Sequence, residues 1–306
     1  FWTDTPKDEL RPIVKVEAGK TRMFSVGEMT MTLLLRQYFD GFVAHVMRNH
    51  THLESCVGLN CYSKEWDVLG HRLSEVGPYV VAGDFTNYDG TLPADVLWAV
   101  YDITEDFYVG ASEEDKMARR MLWVEIVNSI HIQGNGVYMW THGQPSGCPF
   151  TSVLNSLVHS IVVRVVFLLA AAKYAPESCS LEVYDDKVRH NNYGDDDVTN
   201  IHPDILEWFN QRTMTEMYSV FGMTYTDELK TGECVESRKL DEVQFLKRKF
   251  RWDSVQCRFR APLELGVIRD MILWNKTKSD TAYNLTAEVL RDAMYELSQH
   301  DRDTWN

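Results

Sequence analysis

A chain of 306 residues with 44% hydrophobic and 25% charged side chains can bury a core, and it is long enough for one large domain or two to three smaller units. Its formal net charge of −14 argues against a protein that coats nucleic acid over its whole surface, because phosphate binding ordinarily leaves a basic footprint. Local fields can override that sign, and two basic groups stand out: Lys7, Arg11, Lys15, Lys20 and Arg22, then Lys247, Arg248, Lys249, Arg251, Arg258 and Arg260. The cysteines, Cys56, Cys61, Cys148, Cys179, Cys234 and Cys257, are scattered and read as reduced thiols in a cytosolic setting. His50, His52, Cys56 and Cys61 are close in sequence but match no common zinc-ligand spacing. No signal peptide is visible, and a first residue that is Phe rather than Met suggests a processed product or a fragment.

In chain order, the first 22 residues are polar and punctuated by Pro6 and Pro12. Val14 and Val16 fit a short strand, and Lys15, Lys20 and Arg22 either converge on an anion or form a solvated basic loop. Residues 30–50 carry Leu33, Leu34, Phe39, Phe42, Val43 and Val46 at helical spacing, which predicts core packing. A second helix is expected around 66–73, before Gly77-Pro78 breaks the chain. Residues 79–82 read as a buried strand that delivers Asp84 to a sheet edge. Asp89-Gly90 is a turn signal, so Asp89 either only makes the turn or serves chemistry near Asp84, and Pro93 can open the next helix.

Residues 113–128 form an amphipathic pattern through Met117, Met121, Leu122, Val124 and Val127, and 137–140 reads as a strand. A turn-rich loop, 143–149, then leads into a helix over 150–173. Ser146, Thr151 and Asn155 lie at that helix start, either as an N-terminal cap or as a polar surface for sugar or phosphate. The apolar run 161–172 contains Arg164 and is too short to span a bilayer comfortably, so it reads as a core helix rather than a transmembrane segment. Further on, 204–220 reads as a helix, 224–230 as a loop or strand bearing Lys230, 245–250 as a strand with alternating faces, and 285–297 as a helix buried through Val289, Leu290, Ala293 and Leu297.

Between these lies Tyr193-Gly194-Asp195-Asp196-Asp197, a tight acidic turn joining two extended segments, 188–193 and 198–201. Adjacent carboxylates at a bend repel one another. They are either a solvated turn or the ligands of a hard cation such as Mg²⁺.

Together these stretches resemble, in order, type and spacing, the motif series of RNA-dependent RNA polymerases from picorna-like positive-strand viruses. Lys15, Lys20 and Arg22 resemble the basic fingers motif; Asp84 with Asp89 the first palm motif; Ser146, Gly147, Thr151 and Asn155 the second; Tyr193, Gly194, Asp195 and Asp196 the third. Lys230 falls at the fourth, and Phe245, Leu246, Lys247 and Arg248 resemble the primer-grip strand. The wording around Asp84 is most similar to the polymerases of dicistroviruses and iflaviruses.

The resemblance implies an α+β right-hand fold: an incomplete fingers segment over 1–80, a palm over 81–250 with a fingers insertion at 105–140, and the start of a thumb over 251–306. It implies template-directed RNA synthesis in which Asp84, Asp195 and Asp196 hold two Mg²⁺ ions, with Mn²⁺ as a substitute, and Lys230 acts as general acid. Lys15, Lys20, Arg22, Asp89, Ser146, Thr151 and Asn155 are expected to contact the NTP, and Gly147, Tyr193, Phe245, Leu246, Lys247 and Arg248 the RNA. The expected partners are an RNA template, a primer or product strand, NTPs, a viral protein primer and other replication proteins. The expected setting is a replication complex in the host cytoplasm, after release from a polyprotein. Against a reverse transcriptase stands the small polar pair Asp89 and Asn155, where such enzymes usually place a steric block. A non-catalytic remnant would not need every carboxylate, and a cyclase with a related palm would not need Ser146, Thr151, Asn155 and the primer grip. A short fingers segment and thumb lead to the expectation of a native-like palm that polymerises poorly.

Overall fold

A computed structural model describes residues 1–232, 235–273 and 282–305, which leaves Cys234 outside the described residues. The strands are β1 (Trp2–Pro6), β2 (Met23–Gly27), β3 (Tyr79–Thr86), β4 (Ile130–Gln133), β5 (Gly136–Met139), β6 (Val188–Tyr193), β7 (Asp196–Ile201), β8 (Thr224–Asp227), β9 (Gln244–Phe245), β10 (Arg248–Lys249), β11 (Arg251–Asp253) and β12 (Arg258–Arg260). The helices are α1 (Ile13–Glu17), α2 (Met29–Arg48), α3 (Glu65–Arg72), α4 (Ala94–Phe107), α5 (Glu113–Val127), α6 (Thr151–Tyr174), α7 (Leu181–Lys187), α8 (Gln211–Val220), α9 (Leu265–Leu273), α10 (Ala282–Leu297) and α11 (Arg302–Trp305).

The central sheet is antiparallel in the order β6-β7-β3-β8. Side chains alternate along β3, and each face meets a different layer. Val81 and Phe85 join a large cluster with Val158, Val162 and Val166 of α6 and Met214 and Tyr218 of α8. Val80 and Ala82 join Val198 of β7, Trp66 and Leu69 of α3, and Phe245 and Phe250 on the opposite side. Both faces are therefore covered, which explains the continuous apolar reading of 80–82, whereas Tyr79 at the start of the strand is exposed rather than buried. Gly83 has no side chain because the Tyr225 ring from β8 fills the space; a Cβ there would lie 2.1 Å from it.

Helix α6 is long and apolar enough to cross a membrane, but most of it is buried in the protein. Its Arg164 forms a two-pronged ion pair with Glu54, at 2.8 and 2.9 Å. A second four-stranded sheet, β2-β1-β4-β5, contains one parallel pair, β1 with β4, and sends Trp2 into the main core.

Several expectations are corrected. Residues 13–17 are a one-turn helix rather than a strand, because Lys15 and Val16 both donate to the Pro12 carbonyl; Val14 and Val16 stay exposed and gain nothing from strand pairing. The buried stripe of α5 runs through Leu122, Trp123, Ile126 and Val127, whereas Met117 and Met121 face outward. The helix expected over 204–220 begins only at Gln211, because Asn210 caps it reciprocally with Thr213 after a separate 3₁₀ turn at Pro203–Ile205. Residues 245–250 are not one strand: Leu246 and Lys247, at φ 54° and 61°, form the two-residue turn of a tight hairpin between β9 and β10. In α10, Ala293 is buried but Leu290 is exposed, because the helix docks through Glu296, which Arg248 grips, and Gln299 beyond its end is buried too.

Candidate active site

At one end of the central sheet the register pairs Gly83 of β3 with Asp197 of β7 and with Asp227 of β8. Asp84 and Asp196, each one step from these partners, project from the same sheet face, and Asp195 sits in the adjoining turn. Gly194 makes that turn at φ 68°. Its N–H donates to Ser156 Oγ at 2.8 Å, and its carbonyl lies 3.1 Å from His159 Nδ1, so α6 holds the turn from behind. A carbonyl only accepts, so Nδ1 carries the proton and Nε2 accepts from the Tyr218 hydroxyl at 3.2 Å.

The electrostatics are those of crowded acids. Burial and then the Asp84 charge lift the Asp195 carboxyl above its ordinary range. Burial and then Asp195 push Asp196 to about 7, with Lys247 and Lys230 as partial counterweights. Lys230 Nζ lies 2.7 Å from Asp84 Oδ2. Its loop is anchored by Asp227, whose carboxylate accepts from the Thr231 and Gly232 backbone N–H groups at 3.0 and 3.4 Å.

Asp197 behaves differently from its neighbours. It points through the sheet into the core, where Tyr225 and Thr199 donate to it at 3.0 and 3.2 Å, and burial raises its carboxyl to about 8. Hard oxygen donors of like charge suit divalent cations, and the donor set of Asp84, Asp195 and Asp196 fits them. No three acidic, His or Cys side chains among the described residues already converge as a preformed metal cage, and Lys230 occupies Asp84.

Beside the acids lies a polar network. Asn155 donates to Asp89 Oδ1 at 2.7 Å, and Gln144 donates to Asn155 Oδ1 at 2.8 Å. Thr151 Oγ1 donates to the Ser146 and Cys148 carbonyls at 3.0 and 2.8 Å, so it secures the start of α6. The Ser146 hydroxyl accepts from Ser25 N at 3.3 Å, and Gly147 packs so tightly that a Cβ would lie 2.0 Å from the Ser25 carbonyl. The segment bearing Lys15, Lys20 and Arg22 leads directly into β2, which contains Ser25. These cations are exposed, and the described contact of Arg22 is with Glu9, at 3.6 Å.

In the β9–β10 hairpin, Phe245 is buried against Trp66. Arg248 is committed to Glu296 through two 2.7 Å contacts, and Leu246 packs on the Trp66 cluster. Lys247 is the hairpin residue whose charge reaches Asp196. Tyr193 is half-buried at the end of β6, opposite Asp196. Sequence reasoning missed Gln144, Ser156, His159 and the inward turn of Asp197. Helical spacing between Asn155 and His159, and strand alternation after Asp196, were the signals that could have located the last three.

An antiparallel sheet backed by helices, with acids gathered at one strand end and a hairpin turn, defines an α+β fold of the polymerase palm type. A solved sicinivirus 3Dpol RNA-dependent RNA polymerase shares this fold at TM-score 0.82 and 23% identity, over 100% of this chain and 60% of that one. The chain belongs to the viral RNA-dependent RNA polymerase family, whose family model matches residues 1–305. It is 40% identical to the replicase polyprotein of Drosophila C virus and 41% identical to that of acute bee paralysis virus, in each case over 100% of the chain. The chain spans only 18% and 16% of those two polyproteins.

Proposed function

We propose that this chain carries out RNA-templated RNA synthesis by adding NTPs to an RNA 3′-hydroxyl. The observation that carries this reading is that Asp84 and Asp196 project from one sheet face, with Asp195 in the adjoining turn and Lys230 against Asp84. The primer 3′-oxygen attacks the α-phosphorus, the bond to the bridging oxygen breaks, and pyrophosphate leaves. Two Mg²⁺ ions, replaceable by Mn²⁺, would lower the pKa of that hydroxyl and neutralise the leaving group when bound.

The protein's own part begins with Asp84, Asp195 and Asp196, and the raised proton affinity of Asp195 and Asp196 leaves those two ready to exchange protons for cations. Lys230 holds Asp84 in place, and on release it is positioned to give a proton to the departing pyrophosphate. Lys15, Lys20 and Arg22 supply exposed charge for the triphosphate, with Arg offering a planar fork. Asp89 and Asn155, steadied by Ser146 and Thr151, face the sugar, and a site built to bond a 2′-hydroxyl rejects the sugar that lacks one. Gly147, Tyr193 and the Phe245–Arg248 hairpin border the RNA path, where Lys247 offers the charge.

In this reading residues 1–80 belong to the fingers, 81–250 to the palm with an insertion at 105–140, and 251–306 to the thumb. The partners are an RNA template and product strand, a protein primer and further replication proteins. The place of action is a cytoplasmic replication complex after release from a polyprotein. The test is extension of a labelled RNA primer on an RNA template with NTPs and Mg²⁺. Extension is expected to require the metal and to favour NTP over dNTP. Equal use of dNTP would favour a reverse transcriptase instead, and no extension at all would overturn the reading.

A further inference from the structure

We infer that Gln144 is a positioning residue for sugar selection: it fixes which end of the Asn155 amide faces Asp89 and the incoming nucleotide. The inference rests on the polymerase reading above and adds to it a residue that is not among the motif positions named there.

Gln144 is fully buried and is locked to the Asp89 turn by its backbone. Its N–H donates to the Asp89 carbonyl at 2.9 Å, and the neighbouring Gly143 N–H donates to the Leu92 carbonyl at 2.8 Å. Gly143 adopts φ 77°, and a Cβ there would lie 2.7 Å from the Asp89 carbonyl oxygen, so the loop approaches as only glycine allows. Its side chain then completes a chain of forced polarities. A carboxylate oxygen only accepts, so Asn155 must turn its NH₂ toward Asp89 Oδ1, which it does at 2.7 Å. That leaves Asn155 Oδ1 facing Gln144, which must answer with its own NH₂, at 2.8 Å. The same NH₂ lies 3.4 Å from Asp89 Oδ1.

Among the described residues, the arrangement leaves Gln144 Oε1 buried with no hydrogen-bond partner. An apolar side chain would fill this space without an orphaned oxygen, so what Gln144 contributes beyond packing is the donor it presents to Asn155. With the network set this way, Asp89 Oδ2 and the second N–H of Asn155 are uncommitted among the described contacts. Together they are one acceptor and one donor, the pair that a hydroxyl needs because it both donates and accepts. With Asn155 turned over, the hydroxyl would meet two acceptors and satisfy only one.

The test compares kcat/KM for single additions of ATP and dATP by the wild-type protein, Gln144→Leu, Gln144→Glu, Asn155→Ala and the double variant Gln144→Leu/Asn155→Ala. Gln144→Leu removes the donor, whereas Gln144→Glu keeps the shape but presents an acceptor to Asn155. Each is expected to lower the ATP-to-dATP ratio at least about tenfold, and Gln144→Leu should add no further loss once Asn155 is Ala. Gln144→His retains an N–H donor and is expected to recover part of the ratio, and it covers the case in which Leu or Glu at this buried position fails to fold. A role in folding alone would slow both nucleotides equally; an unchanged ratio, or a further loss in the double variant, overturns the inference. A wild-type protein that adds neither nucleotide, or both alike, refutes the polymerase reading itself, whereas selective wild type with selective variants removes only Gln144.

Discussion

On one face of the central sheet Asp84 and Asp196 gather with Asp195 near Lys230 and Lys247, while one residue along β7 the carboxyl of Asp197 is closed in by Tyr225 and Thr199. Strand alternation alone separates Asp196 from Asp197, yet it sends one side chain to an accessible cluster of acids and the other into a core that also holds His159 and His190. The first face keeps its carboxylates crowded, a cost that cations can remove. The second stabilises its carboxyl with hydroxyl donors and needs no cation. Three adjacent aspartates therefore do not form one ligand set.

The largest expected effect sharpens that difference. Asp195→Asn preserves shape but removes a proposed metal ligand, and loss of groups that only support a metal ligand already costs about 10–100-fold. Nucleotide addition should therefore fall by at least about 100-fold, while the melting temperature holds or rises as the repulsion with Asp84 disappears. Asp197→Asn should leave most of the rate intact. Single-turnover addition and thermal melts on both variants decide the matter, and equal rate losses would place Asp197 in the metal site. Gly83→Ala is expected to act next most strongly, and on stability. Its Cβ would lie 2.1 Å from the Tyr225 ring, so the ring must move and its hydrogen bond to Asp197 is lost. Overpacking of this kind costs about 1–3 kcal/mol. A denaturant midpoint equal to that of wild type would show that the sheet can absorb the methyl group.

Much of this architecture was legible in the residues themselves. A period-3.6 pattern located α2 through Phe39, Phe42 and Val46, although Leu33 and Leu34 of that pattern are exposed rather than core; a continuous apolar run located α6, and the short apolar run before Asp84 located β3. The carboxylates of the candidate site stood out because like charges at a bend call for an explanation. What stayed hidden depends on contacts made across the chain. Arg248 reads as an exposed cation until Glu296, on another element, is seen to bind it. Gln144 lies in a loop whose only sequence signal is turn chemistry, and its importance appears when Asp89 and Asn155 close around it. Short segments such as α1 depart from their strand pattern because Pro12 and local hydrogen bonds outweigh the strand preference of Val14 and Val16.

The smallest expected effect tests the two faces through protons. In the folded protein Asp197 keeps its proton up to about 8 and Asp196 up to about 7, against 3.8 for the free side chain. Burial does the opposite to imidazole: it holds His190 neutral down to about 3 against 6.5, and it lowers His159 as well. Between 3.8 and 6.5 the folded state holds the two carboxyl protons while the unfolded state holds the two imidazole protons, so the two differences oppose each other. From pH 6.5 to 8 the unfolded chain binds fewer protons than the folded one, so metal-free stability should fall as pH rises, by on the order of 1 kcal/mol per pH unit for each retained proton. Asp197→Asn should flatten the upper part of that decline, near pH 8. Added Mg²⁺ should flatten the lower part, near pH 7, by replacing the proton held at Asp196, and it should leave the Asp197 portion unchanged. Melting midpoints across this range, with chelator and then with Mg²⁺, separate the two contributions. If Asp197→Asn follows the wild-type curve, Asp197 is already ionised in the fold and the contrast between the two faces is one of geometry alone.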